Sequence, residues 1–187
     1  MSDKPKIPLA LAKEIAEEWM DAIRPHCDMV GVGGPIRREE PEINRITILY
    51  GIEYGDPRNN DRLIALLQKA KRENITLHSI YYLPEIDLAV NGVEVTIKFW
   101  HVEPRIWGFE SACFSGNSDF RSYLSGCIMR RFGLSHTSDI HYKLSANIPD
   151  EATCFRLCGL PEDVPMNVRT AWDEVSTPET FGLKRPR

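Results

Sequence analysis

The chain has 187 residues, of which 42% are hydrophobic and 27% are charged, and its 23 Lys and Arg against 27 Asp and Glu give a net charge of −4. This composition excludes a disordered or fibrous chain and is typical of a globular protein with one main domain. The acidic excess argues against a protein that tracks a long stretch of nucleic acid, because such proteins neutralise phosphates with Lys and Arg.

Two further patterns bear on location and on metal binding. No apolar run reaches the ~18 residues that a membrane span needs, and the N-terminus leads into no apolar segment with a cleavage site, so we expect a cytoplasmic protein. The five cysteines are an odd number, are widely scattered and form no C-x-x-C pair, which predicts neither a disulfide framework nor a zinc knuckle.

The first third of the chain predicts a helix, two strands and a second helix. Apolar residues at four-residue spacing predict a helix over 8–24. Strands are predicted over 28–32 and 45–53, and a Gly-Gly-Pro sequence ends the first of them. A polar loop over 56–61 then precedes a helix over 61–72.

The middle of the chain is rich in strand-forming residues. Residues 76–83 and 86–90 predict strands, and Asn91-Gly92 is a strong signal for a type I′ hairpin to a strand over 93–97.

Two helices and a tail complete the predicted elements. The first helix covers 118–131 with Gly133 after its end, and the second covers 151–158 with Asp150 as its N-cap and Gly159 as its stop. The order of elements predicts an α+β (α/β) domain over 1–160, with a mixed sheet of about five strands flanked by helices, and an irregular tail over 161–187 packed on it.

One segment resembles a known catalytic family. Gly34-Pro35-Ile36-Arg37-Arg38 is followed seven residues later by a strand that opens Arg45-Ile46-Thr47. This stretch resembles the nucleotidyltransferase domain of family X, or beta-like, DNA polymerases, most closely the short stand-alone versions in bacteriophage genomes. In that family a Gly-Ser turn and two arginines follow the first strand, and two acidic residues separated by one residue open the next.

The resemblance extends over most of the chain, and the later segments follow in the family's order. They are Asn91–Ile97, Trp107-Gly108, Phe114–Asn117, Arg130–Gly133, Asp150–Pro161 and Arg169-Thr170. The resemblance implies a nucleotidyltransferase-like fold and a site in which two carboxylates on one strand and a third on a neighbouring strand hold Mg²⁺ against a nucleoside triphosphate.

This chain departs from the family at every metal-binding position. Arg45 and Thr47 replace the two strand carboxylates, Thr96 replaces the third, and Pro35 replaces the turn serine. A guanidinium repels a divalent cation and a threonine is not a carboxylate. Glu94 does not replace it, because the Asn91-Gly92 hairpin anchors Thr96 at the matched position and a one-residue slip would turn the strand's faces over, so we expect no catalytic carboxylates and no metal.

Remnants of phosphate or nucleotide binding remain candidates at Gly34, Arg37, Arg38, Ser115, Gly116 and Asn117. Each has a structural alternative. The arginines can pair with neighbouring glutamates, and Gly34 can simply allow the chain to turn. The turn at 115–117 can be the N-cap of the helix that follows.

These observations predict a catalytically degenerate nucleotidyltransferase-fold protein that acts as a non-catalytic interaction or structural protein. The expected partner is a protein or an assembly, with a phage particle or the host cytoplasm as the setting if the chain is phage-encoded. Two alternatives stay open: a nucleotide- or DNA-binding protein, and an active Mg²⁺-dependent nucleotidyltransferase or DNA polymerase with relocated ligands.

Overall fold

The computed structural model describes residues 6–53, 55–56, 58–73, 77–78 and 85–183. The chain divides into two compact units, Met1–Pro104 and Arg105–Arg187, which we call unit 1 and unit 2. The architecture is mixed α and β with helices around a mixed sheet, which confirms the predicted class. No helix in the described ranges is long and apolar enough to cross a membrane.

Unit 1 contains a sheet with helices before and between its strands. In chain order its elements are β1 (Ile7–Pro8), α1 (Leu9–Ile23), a 3-10 turn (Arg24–His26), β2 (Met29–Gly33), α2 (Gly34–Arg37), β3 (Glu42–Ile43), β4 (Arg45–Gly51), α3 (Arg58–Arg72), β5 (Leu77–His78), β6 (Glu85–Val90) and β7 (Val93–Val102). The strand predicted over 76–83 is described only at β5, and the rest of it lies outside the described residues.

In the described part of the chain the main sheet has five strands, in agreement with the predicted number, and their order is β2-β4-β7-β6-β5. Strands β4 and β7 are parallel, and the other neighbours are antiparallel. The β6–β7 hairpin turns at Asn91 and Gly92, whose φ angles of 51° and 80° are both positive, as a type I′ turn requires. β1 and β3 form a separate two-stranded pair that the sequence analysis missed.

The core of unit 1 lies between the sheet and helices α1 and α3. Ile46, Ile48 and Tyr50 are buried on one face of β4. Trp19 of α1 meets Phe99 of β7 edge to face at 6.0 Å between ring centroids. The residues on the other face of β4 are also buried, apart from Arg45 at its start, so both faces of this strand are covered.

Helix α3 begins three residues earlier than predicted because Arg58 is anchored in its first turn. The backbone N–H of Arg58 donates to Asp56 Oδ1 at 2.8 Å, and its guanidinium binds Asp56 and both carboxylate oxygens of Asp28. The hydrogen bonds from Arg58 hold the pKa of Asp56 below its usual value.

Unit 2 is helical in its described part. Its elements are a 3-10 turn that leads into it (Pro104–Ile106), α4 (Trp107–Ser115), α5 (Ser118–Phe132), α6 (Ser138–Tyr142), α7 (Glu151–Leu157), α8 (Met166–Ala171) and a 3-10 turn (Pro178–Phe181). Helices α5 and α7 confirm the predictions, and Gly133 and Gly159 end them with φ angles of 64° and 72°.

The predicted irregular tail, 161–187, contains regular structure in its described part. Helix α8 and the 3-10 turn at Pro178–Phe181 both lie in it. Trp172 follows α8, is 2% exposed and packs against Phe120 of α5 at 5.3 Å between ring centroids. The described tail is therefore part of the core of unit 2, because its aromatic side chain completes that core.

Candidate functional site

The sheet of unit 1 brings together the three positions that carry carboxylates in the family it resembles. Arg45 is the direct partner of Thr96 in the parallel β4–β7 pair. Thr47 lies two residues further along β4, on the same face of the sheet. The register therefore brings these three positions together on one face of the sheet, and no carboxylate occupies any of them.

The turn between β2 and β4 packs on one of these positions. Gly34 has a φ of +61°, and a Cβ atom there would come within 3.3 Å of Thr47 Oγ1. Thr47 is 6% exposed. The left-handed backbone and the close approach to Thr47 both explain why a glycine occupies this position, without a role in phosphate binding.

The third position is engaged by a carboxylate from the neighbouring strand. Thr96 Oγ1 donates to Asp87 Oδ1 at 2.8 Å, and the two residues are direct partners in the β6–β7 ladder. Two residues away, Lys98 pairs with Glu85 across the same ladder. This face of the sheet therefore carries charges of both signs at close range.

The sequence analysis did not single out Asp87, although the signal for it was present. A two-residue Asn-Gly turn fixes the register of its hairpin, and counting back from Asn91 and Gly92 pairs position 87 with position 96. Such counting would have identified the carboxylate beside Thr96.

The two candidate phosphate-binding arginines lie in and after α2. Arg38 binds Glu40 through Nε at 2.8 Å and Nη2 at 2.7 Å, so the structure supports the ion-paired alternative for this residue. Arg37 is half-buried and lines a cleft of about 370 Å³ whose rim includes Lys13 and Glu39. Those two rim residues pair with each other at 3.3 Å.

The candidate nucleotide turn in unit 2 is part of the packing of that unit. Ser115 ends α4 and is fully buried, and its hydroxyl donates to the carbonyl of Ala112 at 2.6 Å and accepts from Arg169 Nη1 at 2.8 Å. A Cβ atom on Gly116 would lie 2.4 Å from the ring of Phe120, which explains the glycine by close packing.

Asn117 has the N-cap role that was the structural alternative for this turn. Its Oδ1 accepts from the backbone N–H of Phe120 at 2.9 Å. Its Nδ2 donates to the carbonyls of Thr170 and Trp172 at 3.0 and 2.6 Å. The polar atoms of Asn117 thus join α5 to the segment around α8.

Within the described ranges, no group of three or more His, Cys, Asp and Glu side chains is arranged to hold a metal ion. The expectation of no bound Mg²⁺ stays a prediction. At the three aligned positions the chain offers a guanidinium and two hydroxyls, which are groups that do not form a carboxylate clamp.

No protein-family model matches this sequence, and no curated protein matches it. The resemblance to family X polymerases therefore rests on the sequence segments and stays a prediction.

Proposed function

We propose that this chain is a non-catalytic protein built on a nucleotidyltransferase-like domain and that it acts by binding a protein partner. One observation carries the proposal: the pairing of β4 with β7 puts Arg45, Thr47 and Thr96 together where the resemblance requires three carboxylates. A chain can keep the fold of an enzyme family without its activity, and these three side chains lack the chemistry that the family's reaction needs.

The chemistry of these side chains explains why this site would not transfer nucleotides. Mg²⁺ binds hard, anionic oxygen ligands, and phosphoryl transfer depends on metal ions to neutralise the triphosphate. Arg45 keeps its positive charge at every relevant pH, and Thr47 and Thr96 are neutral. A cation placed between them would meet a fixed positive charge and no compensating anion from these three residues.

Relocated ligands receive little support from the neighbouring side chains. Asp87 is the direct ladder partner of Thr96 and accepts a hydrogen bond from its hydroxyl. Glu85 lies two residues away on the same face of β6 and pairs with Lys98. A two-metal clamp needs several carboxylates, and these two are already engaged by a hydroxyl and an ammonium group.

The charges on this face of the sheet favour a protein partner over nucleic acid. Arg45 and Lys98 share the face with Asp87 and Glu85, and Lys98 is paired with Glu85. Binding to a phosphate backbone depends on unopposed basic charge, whereas protein interfaces match patches of both signs. The net charge of −4 points the same way. The phage setting stays a prediction.

The first test is nucleotide incorporation by the purified full chain on gapped and recessed DNA with Mg²⁺ or Mn²⁺. We expect no extension above a no-protein control for any of the four deoxynucleotides. Extension that Asp87→Asn abolishes would overturn the proposal, since the activity would then depend on the carboxylate beside Thr96.

The second test asks whether the chain binds nucleotides or DNA through their phosphates. We expect no saturable binding of a nucleoside triphosphate or a short gapped DNA at low salt. Saturable binding that weakens steeply with salt, and that Arg37→Gln weakens while the exposed-surface control Arg131→Gln does not, would favour the nucleotide- or DNA-binding alternative instead.

A further inference from the structure

Strand β2 (Met29–Gly33) forms an edge of the five-stranded sheet. Within the described ranges its ladder partner is β4 alone, and the pairing runs through all five residues without a bulge. A strand that is paired on one side leaves a row of N–H and C=O groups on its other side. Met29–Val32 are half-buried, so solvent reaches this strand. The outer side of β2 can therefore take a further strand.

The sequence of β2 contains none of the features that keep edge strands apart. Charged side chains, prolines and bulges within an edge strand prevent pairing with another chain. The sequence of β2 is Met-Val-Gly-Val-Gly, which has no charge and no proline. In the part of the chain that the structure describes, the hydrogen bonds of Met29–Val32 run only to β4. An uncharged edge with two valines favours pairing with a strand of the same kind.

The face of β2 that is turned to the helices has free space beside it. Val30 and Val32 lie on this face and pack against the core of unit 1. The cleft of about 370 Å³ lies between α1 and α2, with Val32, Met20 and Ile36 as its apolar lining. An apolar side chain from an added strand would therefore find space and apolar surface here.

The two ends of β2 carry opposite excess charge. Beside its first residue lie two carboxylates and one guanidinium that bind one another, those of Asp28, Asp56 and Arg58. After its last residue come two guanidiniums and one carboxylate, those of Arg37, Arg38 and Glu40. Glu39 in the same segment is neutralised by Lys13. One end is therefore acidic by one charge, and the other end is basic by one charge.

We propose that β2 pairs with β2 of a second copy of this chain, antiparallel and in a register centred on Gly31. The two five-stranded sheets then form one continuous sheet across a two-fold axis. Antiparallel pairing places the acidic end of each strand beside the basic end of the other, whereas parallel pairing would place like charges together. Val30 of each copy lies opposite Val32 of the other, next to the cleft. Both copies use the same edge, so the assembly closes as a dimer.

A strand of another protein is the alternative occupant of this edge. The second copy is favoured because it supplies both an uncharged strand and the matching charges at the two ends of that strand. The dimer is independent of the proposed function, because a catalytic chain could pair through the same edge.

Sedimentation velocity of the full chain between about 2 and 200 µM tests the proposal, a range suited to an interface of modest size. We expect the mass to rise with concentration from that of a 21.4 kDa monomer towards that of a dimer. The dissociation constant should increase at least about threefold when NaCl is raised from about 0.05 to about 0.5 M, because salt screens the charges at the strand ends.

Two substitutions at one position test the antiparallel charge arrangement. In the proposed register Met29, the first residue of β2, lies opposite Gly33 of the other copy and beside the basic end of that copy. Met29→Lys should weaken the dimer about tenfold or more, because each copy then brings a positive charge to a basic end. Met29→Glu is the matched control of opposite charge and should leave the dissociation constant within about threefold of the wild type. Far-UV circular dichroism checks that both variants fold.

Hydrogen exchange of the wild type locates the interface without any substitution. Backbone amides within Met29–Gly33 should exchange more slowly at about 200 µM than at about 2 µM, because the dimer gives the outward N–H groups hydrogen-bond acceptors. This measurement decides alone if either variant of Met29 unfolds.

Three results would overturn the proposal. A chain that stays monomeric at about 200 µM leaves the edge to a strand of another protein. A dimer that forms without slower exchange within Met29–Gly33 uses another surface. A dimer that Met29→Lys and Met29→Glu weaken equally, with both variants folded, lacks the antiparallel charge arrangement.

Discussion

Replacement of Arg169 by methionine should destabilise unit 2 more than any exposed arginine replacement does. Arg169 is 7% exposed and lies over the ring of Phe155 at 4.7 Å. Its Nε donates to the carbonyl of Val164 at 2.7 Å, and its Nη1 donates to Ser115 Oγ and to Glu151 Oε2 at 2.8 Å each. One guanidinium therefore joins α4, α7 and the segment before α8.

The expected loss follows from what the methionine leaves behind. Removing one partner of a buried ion pair costs about 3–5 kcal/mol, because the other charge stays buried and uncompensated. The side chain of Glu151 is 18% exposed, so water reaches it in part and the lower end, about 3 kcal/mol, is expected. Arg169→Lys keeps the charge but loses the planar fork, and should cost roughly half as much.

Urea denaturation followed by far-UV circular dichroism measures these losses. Arg156→Met is the matched control, because this arginine pairs with Glu162 on the surface, where the two side chains are 52% and 61% exposed. Such exposed pairs contribute less than about 1 kcal/mol. A loss under about 1 kcal/mol for Arg169→Met, or an equal loss for Arg156→Met, would refute the structural role of Arg169.

Three further changes test the packing and electrostatics of unit 2. Gly108→Ala should destabilise it severely by thermal denaturation, because the new Cβ would lie 2.0 Å from the carbonyl oxygen of Asp150, whereas Gly126→Ala should be neutral or stabilising. Asn117→Ala should lower the free energy of unfolding, measured by urea denaturation, by about 1–2 kcal/mol, because the N-cap bond and two hydrogen bonds to backbone carbonyls are lost. The pKa of Asp139 is held below its usual value by the Lys143 ammonium and by nearby backbone N–H groups. Its carboxylate therefore stabilises the fold above about pH 4 and loses that effect as the pH falls through the lowered pKa, so Asp139→Asn should flatten the acid side of a stability–pH curve.

Much of unit 1 could be predicted because local signals and the fold agree there. Three features there depend on only a few neighbouring residues: the apolar spacing of α1, the Asn91-Gly92 turn and the break after β2. The structure confirms each of them to within a few residues. The same turn contained the register that places Asp87 beside Thr96. The positions named by the resemblance do not include Asp87, so the resemblance gave no reason to expect this contact.

Helices α4 and α6 were missed for different physical reasons. Helix α4 is buried on most of its surface, so it has no polar face and no helical alternation for a sequence to display. Helix α6, Ser138–Tyr142, is little more than one turn long, which is too short for a periodic pattern.

The roles of the candidate site residues depended on tertiary contacts that sequence could not supply. Arg38 had three glutamates nearby in sequence, and only the folded chain selects Glu40. Ser115 was read as part of a turn that could line a nucleotide pocket. It is fully buried and bonded to Arg169, which lies more than fifty residues away in sequence.

Manganese binding, measured by electron paramagnetic resonance, tests the central claim most directly. The claim is that Arg45, Thr47 and Thr96 share one face of the sheet at the positions of a metal clamp and do not supply its ligands. The wild type should bind no Mn²⁺ on this face, while the triple variant Arg45→Asp, Thr47→Asp and Thr96→Asp should gain a Mn²⁺ site. Micromolar binding by the wild type that Asp87→Asn removes would contradict the account.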